Sequence, residues 1–294
     1  MKKPKIQFPK TGSSKEQLLA SLKKHRSKDI DWRKGKAFCL VYYPGDEKAK
    51  LIKEIYDEFY AENALNPSAT PTLSRMESEV VSMCADLFNG DANVRGNITS
   101  GGTESILLAV KTARDWAKQH KPDIKNPEVI IPSSAHPAFI KAFKYFNLDF
   151  VVVPVKAFRA DVNAMEKAIS KNTILLIGSA PSYPHGLIDP IPEIAALAKK
   201  NNLLCHVDSC IGGFILPFVK KLGYPLVDFD FKADGVTSIS ADMHKYGYSP
   251  KGASIVLYKN SSLRKFQFSV YTKWSGGVYG SPTILGTRPG GCIA

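Results

Sequence analysis

The sequence predicts an α/β fold, a mainly parallel sheet covered by helices on both faces. The chain has 294 residues, of which 44% are apolar, so it can bury a sizeable core. From about residue 103 onward, short β-branched apolar runs alternate with amphipathic helical segments. This alternation is typical of buried parallel strands joined by helices. The length suits one large α/β domain with appendages, or two smaller domains.

Strands are expected at short apolar runs, and helices at segments with apolar residues at helical spacing. The runs are residues 129–131, 150–153, 173–177, 203–207 and 236–239. The helical segments are residues 103–120, 137–146, 161–169 and 190–200. Ligands of such sheets bind at the carboxyl ends of the strands. Both His206-Val207-Asp208 and the approach to Lys245 fall at such ends.

The first 70 residues are predicted to form a peripheral helical segment, and residues 71–294 the main domain. Helices are expected over residues 13–24, 46–64 and 72–88, since each has cap candidates or apolar residues at helical spacing. The proline-containing stretch 66–71 interrupts the pattern and favours a boundary near residue 70.

The positive charge of the chain favours anionic partners but not nucleic acid. The formal net charge is +13, and the basic residues are spread along the chain, with local clusters only at 23–26 and 33–36. The aromatic-rich basic motifs of common nucleic-acid modules are absent. We therefore expect a general attraction to anionic ligands or membrane surfaces, including peripheral contact with a membrane.

The cysteines favour a reducing compartment. There are five, they are scattered, and none forms a Cys-x-x-Cys pair, so neither a disulfide framework nor a zinc site is predicted. The basic N-terminus is followed by no apolar run of signal-peptide or membrane-spanning length. The sequence is therefore interpreted as that of a soluble, cytoplasmic chain.

Lys245 and Asp208 are candidates for holding an aldehyde cofactor. A lysine that forms a Schiff base must be partly desolvated, and a separate carboxylate must keep the pyridine nitrogen of pyridoxal phosphate protonated. Lys245 follows an apolar stretch within His244-Lys245-Tyr246-Gly247, and Asp208 ends an apolar run. The alternatives are a solvated surface lysine, and a carboxylate partnered by lysine or by backbone amides.

The segment Thr99-Ser100-Gly101-Gly102-Thr103 precedes a predicted helix and could cradle a phosphate at its N-terminus. The alternative is an ordinary Gly-rich turn in which Thr103 caps the helix. Glu104, in the first turn, is expected to face away from a bound anion. His136 lies just past a predicted strand, where its ring could stack on a flat cofactor; a capping or core histidine is the alternative.

Two later segments are further candidates. Lys251, in Ser249-Pro250-Lys251-Gly252, is either a solvated loop cation or a residue that meets an anionic substrate group. The glycine- and hydroxyl-rich stretch 276–283 is either a plain connector or part of a site.

Together these segments resemble the sphingosine-1-phosphate lyases, a family within the group II pyridoxal-phosphate-dependent decarboxylase superfamily. The resemblance runs from about residue 13 to the last residue and is carried by residues 99–109, 184–190, 206–214, 235–258 and 281–291. The His-Val-Asp and His-Lys elements also fit glutamate and aromatic amino acid decarboxylases. The long block around Lys245 is far more specific.

The resemblance implies a type I aminotransferase-like fold, a homodimer with active sites at its interface, and pyridoxal 5'-phosphate as cofactor. It implies a lyase that cleaves a phosphorylated sphingoid base into a long-chain aldehyde and phosphoethanolamine. Lys245 would carry the Schiff base, Asp208 would pair with the ring nitrogen, and His136 would stack over the ring. The general base is left unassigned.

The resemblance also implies the remaining contacts. The further cofactor-binding residues are Gly101, Gly102, Thr103 and His244, with Gly280 and Ser281 reaching across from the other subunit. The residues for the substrate phosphate are Tyr42, Lys251 and Asn66.

The sequence departs from the family pattern in two ways. Asn66 stands where the family has a histidine near the active site, and an amide cannot exchange a proton there. Family members also continue beyond residue 294 into a C-terminal small domain, so the chain is interpreted as a fragment or a truncated paralogue. These departures motivate one alternative, a catalytically silent chain that binds only cofactor or a partner subunit. The other alternative is an amino acid decarboxylase of the same superfamily.

Overall fold

The computed structural model describes residues 5–37 and 41–294, in two compact units, Met1–Tyr42 and Tyr43–Ala294. The smaller unit contains helix α1 (Lys15–Arg26) and a 3-10 turn, Trp32–Lys34. A reciprocal capping box starts α1: the Ser14 hydroxyl accepts from the Gln17 N–H, and the Gln17 side chain accepts from the Ser14 N–H. All residues of α1 are exposed.

The larger unit alternates helices and strands. Its helices are α2 (Asp46–Glu58), α3 (Pro71–Leu87), α4 (Gly102–His120), α5 (Ala138–Phe146), α6 (Val162–Ala168), α7 (Ile191–Lys200), α8 (Leu216–Lys221) and α9 (Ser261–Arg264). Its strands are β1 (Arg95–Thr99), β2 (Glu128–Pro132), β3 (Asp149–Val153), β4 (Val155–Lys156), β5 (Arg159–Ala160), β6 (Thr173–Ser179), β7 (Leu204–Asp208), β8 (Ser238–Ala241), β9 (Ser254–Tyr258), β10 (Ser269–Trp274) and β11 (Gly277–Ser281). Two 3-10 turns cover Lys265–Gln267 and Gly290–Cys292.

Seven strands form one sheet in the order β1-β9-β8-β7-β6-β2-β3. The pairs from β8 to β3 are parallel, whereas β9 runs antiparallel to both β8 and β1. The prediction of a mainly parallel sheet is therefore confirmed. β10 pairs with β11, and β4 with β5, in separate antiparallel hairpins.

Each face of the sheet is covered by helices, as predicted. Alternate strand residues point to opposite faces, so Ile130 and Leu176 belong to one apolar cluster while Val129 and Leu175 belong to the other. Helices α3, α6 and α7 pack on the first face, and α4 and α5 on the second. Because both faces are covered, only the ends of the strands remain open to ligands.

The predicted elements from residue 72 to residue 241 match the structure to within two residues at each end. One expectation near the N-terminus differs from it. The helix expected over residues 46–64 ends at Glu58, because Glu62 and Asn63 pair with the C-terminal segment through Gly290 and Pro289. The two compact units meet in sequence at Tyr42 and Tyr43, and the domain boundary expected near residue 70 stays a prediction.

A buried ion pair joins α3 to the C-terminal segment. The Arg288 guanidinium binds both oxygens of the Glu77 carboxylate, with Nη2 2.9 Å from Oε2, and also donates to the carbonyl of Ile98 in β1. Both side chains are at least 87% buried. Burial alone would raise the pKa of Glu77, but hydrogen bonds from Arg288 and Asn97 outweigh it, so the pKa is lowered.

Among residues 5–37 and 41–294, none of the helices combines the length and the hydrophobicity that a bilayer span requires.

Replacing Glu77 with Gln should destabilise the protein strongly, because the Arg288 guanidinium stays buried without its carboxylate. We expect a loss of roughly 3–5 kcal/mol in the free energy of unfolding, measured by urea denaturation near neutral pH. Glu79→Gln is the control on the same helix. It removes an exposed pair with Arg75 and should cost less than about 1 kcal/mol.

The difference between the wild type and Glu77→Gln should depend on pH. Because folding lowers the pKa of Glu77, its contribution is complete above the unfolded value of about 4.3 and is lost as the pH falls through the folded value. The two unfolding free energies should therefore converge in acid. Similar losses for Glu77→Gln and Glu79→Gln near neutral pH would contradict the assigned role of the buried pair.

Candidate functional site

Lys245 lies just beyond the carboxyl end of β8, in a turn closed by the hydrogen bond from its own N–H to the carbonyl of Asp242. Its Nζ lies 2.8 Å from Oδ2 of Asp242, and its side chain is 23% exposed. Burial alone would lower the pKa of Lys245, but the charge of Asp242, with smaller effects from Cys210 and Asp208, raises it above its ordinary value. The alternative of a solvated surface lysine is therefore wrong.

Asp242 was not predicted from the sequence, and it is the most buried charge of the site. Its side chain is 3% exposed, and its Oδ1 has no hydrogen-bond partner among the described residues. The sequence could have indicated it, because an aspartate that directly follows a buried strand such as β8 must find a cationic or hydrogen-bonding partner in the fold. Lys245, three residues later, is that partner.

The Gly101-Gly102-Thr103 segment begins α4, and Gly101 is its N-cap residue. Because the N-cap residue is a glycine and Thr103 lies inside the helix, the alternative that Thr103 caps it is wrong. Thr103 is exposed, and Gly101 and Gly102 are half-buried. The first N–H groups of an α-helix have no intrahelical partner, which suits an anion. Binding of a phosphate at the start of α4 stays a prediction.

The close approach of Gly102 and Asp242 joins the helix terminus to the lysine. A Cβ on Gly102 would lie 2.7 and 2.8 Å from the Asp242 carboxylate oxygens and 2.8 Å from the sulfur of Cys210. A side chain larger than hydrogen does not fit there. The structure therefore brings the predicted phosphate cup and the predicted Schiff-base lysine to one place, on either side of Asp242.

Asp208 ends β7 at the same edge of the sheet and is paired in register with Ser240 of β8. Its Oδ1 accepts from the Cys210 N–H at 3.1 Å and lies 3.5 Å from the Ser240 hydroxyl. The carboxylate is 7% exposed. Local backbone and hydroxyl donors thus orient it, consistent with the alternative of backbone-amide partners, and the cofactor role stays a prediction.

His206, two residues before Asp208 in β7, holds the Ser240 hydroxyl that lies near the Asp208 carboxylate. It is fully buried between the hydroxyls of Ser238 and Ser240, at 2.9 and 3.2 Å, and burial lowers its pKa to about 3. It is therefore neutral at any physiological pH. A neutral imidazole fixes the Ser240 hydroxyl without adding charge beside Asp208.

His136 follows β2, and its ring is exposed. Its Nδ1 accepts a hydrogen bond from the N–H of Ala138 at 3.1 Å, at the start of α5. The capping interaction named as the alternative is therefore present. The hydrogen bond at Nδ1 leaves the His136 residue exposed. Stacking of its ring on a cofactor stays a prediction.

His244 and Lys251 are joined by the turn after β8. The Nδ1 of His244 accepts from the Ala253 N–H at 3.2 Å, its Nε2 lies 3.5 Å from Asp242, and its carbonyl accepts from the Lys251 ammonium. Burial lowers the pKa of both His244 and Lys251. Lys251 borders a cavity of about 380 Å³ whose other walls include Lys53 and Tyr56.

Gly280 and Ser281 lie at the end of β11, where Gly280 is exposed and Ser281 is buried. The Ser281 hydroxyl lies 2.9 Å from the carbonyl of Thr283 in its own chain. Glu104 holds the following residues, since its carboxylate accepts from the N–H groups of Ile284, Leu285 and Ser100. The segment is therefore tied to the start of α4 within one chain, and a contact across a dimer stays a prediction.

Asn66 and Tyr42 are the other residues predicted for the substrate phosphate. Asn66 is exposed, and its Oδ1 accepts from the Ser68 N–H at 3.0 Å, which makes a local turn. Tyr42 is the last residue of the smaller unit, Met1–Tyr42. Their role toward a substrate phosphate stays a prediction.

Comparison with known proteins agrees with this geometry. The model of the pyridoxal-dependent decarboxylase conserved domain matches residues 3–274. The chain is 50% identical over 289 residues to sphingosine-1-phosphate lyase 1 of Rattus norvegicus, covering 98% of this chain and 50% of that protein. It is 35% identical over 292 residues to a probable L-aspartate decarboxylase of Pyrococcus furiosus, covering 98% of this chain and 76% of that one.

The chain is also similar to a sphingosine-1-phosphate lyase of known structure. The sphingosine-1-phosphate lyase of Burkholderia pseudomallei matches with a TM-score of 0.94 and 40% identity, over 99% of this chain and 69% of that one. The predicted fold of pyridoxal-phosphate enzymes is thereby confirmed. The chain spans about half the length of the rat lyase. The match over residues 3–274 shows that the chain belongs to the pyridoxal-dependent decarboxylase family.

Proposed function

We propose that this chain carries the cofactor site of a carbon–carbon lyase that cleaves sphingosine or sphinganine 1-phosphate into a long-chain aldehyde and phosphoethanolamine. The observation that carries the proposal is the half-buried Lys245 amine, 2.8 Å from Asp242 and beside the N-terminus of α4. The rat and Burkholderia relatives that share this fold are named for a sphingoid-base phosphate, which supports the choice of substrate.

Pyridoxal phosphate is the cofactor that the family implies, and the residues present fit it. An amine at the open edge of the sheet suits covalent attachment of an aldehyde. The helix terminus at Gly102 and Thr103 offers unpaired N–H groups to a phosphate, with Gly101 beside them. Asp208 places a carboxylate at the end of a neighbouring strand, where a protonated ring nitrogen would find a partner.

When bound, pyridoxal phosphate supplies a ring that accepts the electron pair released as the substrate carbon–carbon bond breaks. The chain contributes the remaining functions. Lys245 would provide the amine, and Asp208 would hold a proton on the ring nitrogen. His136 would cover the ring, with its imidazole oriented by the hydrogen bond that Nδ1 accepts from the Ala138 N–H. His244 lines the site between Gly101 and Asp242.

Two neighbouring cavities, one of them bordered by Lys251, support the proposal that the substrate is an amphiphilic phosphate. Lys251 and Lys53 place two cations at a cavity of about 380 Å³. A second cavity of about 220 Å³ shares Ile52 and Tyr248 with it and is lined mainly by apolar residues. Cationic groups beside apolar walls suit a phosphate attached to a hydrocarbon chain. Tyr42 and Asn66 are proposed as additional residues for the phosphate.

The assembly and location of the protein are part of the proposal. Gly280 and Ser281 would complete the cofactor site of a partner subunit in a homodimer, which is supported by the exposure of β10 and of most of β11. A cytoplasmic location is supported by Cys84, Cys205, Cys210 and Cys292, which are free. The net charge of +13 supports peripheral contact with an anionic membrane.

A second candidate function is decarboxylation of a free amino acid. The Pyrococcus relative favours it, since this chain covers 76% of a probable L-aspartate decarboxylase. Asn66, which stands where a histidine is expected of the lyases, favours a third alternative, a catalytically silent chain. Release of carbon dioxide from L-aspartate would distinguish decarboxylation from cleavage of the lipid.

The lyase activity is tested directly by product analysis. The purified chain with pyridoxal phosphate should convert sphingosine 1-phosphate into a long-chain aldehyde and phosphoethanolamine, both detected by mass spectrometry. Lys245→Ala should lose at least about 100-fold of this activity, because covalent attachment of the cofactor is lost. Lys53→Ala leaves Lys245 intact and should retain turnover, with weakened binding of the substrate.

Three results would each be informative. Absence of aldehyde from a chain that still binds the cofactor would contradict the lyase proposal. Carbon dioxide from L-aspartate would favour the second function. Cofactor binding without either product would indicate a catalytically silent chain.

Gly102→Ala should weaken binding of pyridoxal phosphate by roughly 10- to 100-fold, because the added methyl overlaps the Asp242 oxygens and the Cys210 sulfur. Dissociation constants are measured by titration of cofactor absorbance. Gly12→Ala is the control, since its added Cβ meets nothing within 4 Å. Equal affinity of the Gly102→Ala variant and the wild type would show that the helix terminus does not bind the phosphate.

A further inference from the structure

Asp242 is held in one orientation by the chain around it. Its N–H donates to the carbonyl of Cys210, and its carbonyl accepts from the N–H of Lys245. The carboxylate lies against Gly102, which leaves no room for it to move toward α4. The Asp242 side chain is 3% exposed, so it has little contact with bulk water.

Several ionisable groups of the described residues surround Lys245 and Asp242. Asp242 contacts the Lys245 amine. Electrostatic interactions with Lys245 or Asp242 also involve Asp208, Cys210, His244 and Lys251. Cys210 stays a thiol, because burial and the two carboxylates raise its pKa well above its ordinary value. Asp208 and Asp242 are therefore the acidic groups that favour the ammonium form of Lys245.

Within residues 5–37 and 41–294, the carboxylate seen within hydrogen-bond distance of the Lys245 amine is that of Asp242. The Oδ1 of Asp208 already accepts hydrogen bonds from the Cys210 N–H and the Ser240 hydroxyl. His244 accepts a backbone N–H at Nδ1, so in its neutral form the proton lies on Nε2, which points toward Asp242. The Oδ2 of Asp242 is 2.8 Å from the ammonium, and its Oδ1 lacks a partner among the described residues.

We propose that Asp242 is a positioning residue that holds Lys245 as an ammonium and accepts its proton when the amine attacks an aldehyde. This inference rests on the proposed function in one respect, since the aldehyde is taken to be that of pyridoxal phosphate. Asp242 acts on the cofactor through Lys245.

The step balances without any further reactant. The ammonium of Lys245 gives one proton to the Asp242 carboxylate and becomes a neutral amine. The amine nitrogen bonds to the aldehyde carbon, and its two hydrogens leave with the aldehyde oxygen as water. A carbon–nitrogen double bond remains, and the neutral acid form of Asp242 leaves no uncompensated charge in the buried site.

The inference is tested on the protein without cofactor, by competitive acetylation with acetic anhydride from about pH 7 to about pH 11. Only neutral amines react, and mass spectrometry gives the labelling of Lys245 at each pH. In the wild type the midpoint should lie above that of exposed lysines, since Asp242 favours the ammonium. In the Asp242→Asn variant, burial lowers the pKa of Lys245 and no carboxylate charge at position 242 opposes it. Acetylation of Lys245 near pH 8 should therefore be at least about tenfold faster than in the wild type.

Asp228→Asn is the matched control, because it removes a carboxylate paired with a surface lysine, Lys220, and should leave the Lys245 profile unchanged. Asp242→Glu retains the charge and should keep a raised midpoint. Equal midpoints in folded Asp242→Asn and wild type would overturn the proposal. So would a wild-type midpoint at or below that of exposed lysines, a result that needs no variant.

The assay contains neither pyridoxal phosphate nor lipid. Its outcome is therefore independent of aldehyde release, and failure of the lyase activity leaves the test of Asp242 intact.

Discussion

The geometry of the site depends on one buried carboxylate. Asp242 follows β8 directly and contacts both the Lys245 amine and the backbone of Gly102. A buried carboxylate must be paired, so the turn after β8 has to present a cation to it. The same carboxylate requires glycine at the start of α4. The lysine turn, the helix terminus and the edge of the sheet therefore constrain one another.

Much of the fold and several site residues could be predicted from local patterns. The buried strands are short apolar runs, and the helices between them have one apolar face, so both could be located from periodicity. Asp208 and Lys245 could be placed at one edge because parallel strands all end there. These inferences succeeded because burial at those positions is reflected in consecutive residues.

The remaining features depend on contacts between distant parts of the chain. Nothing local distinguishes β9, which runs antiparallel, from another parallel strand. Glu77 and Arg288 are 211 positions apart and would each be expected at the surface. Glu104 was expected only to turn away from an anion, yet its carboxylate holds the N–H groups of Ile284 and Leu285. Charged residues that pair in the interior have the same sequence appearance as solvated ones.

Trapping the cofactor on the chain tests the central claim, that Lys245 is the residue that holds it. The protein is mixed with pyridoxal phosphate, reduced with borohydride, digested, and analysed by mass spectrometry for the modified lysine. The account predicts one predominant adduct, on Lys245, because its amine lies near the N-terminus of α4, which is proposed to bind the cofactor phosphate. Adducts scattered over the exposed lysines, or a predominant adduct elsewhere, would contradict it.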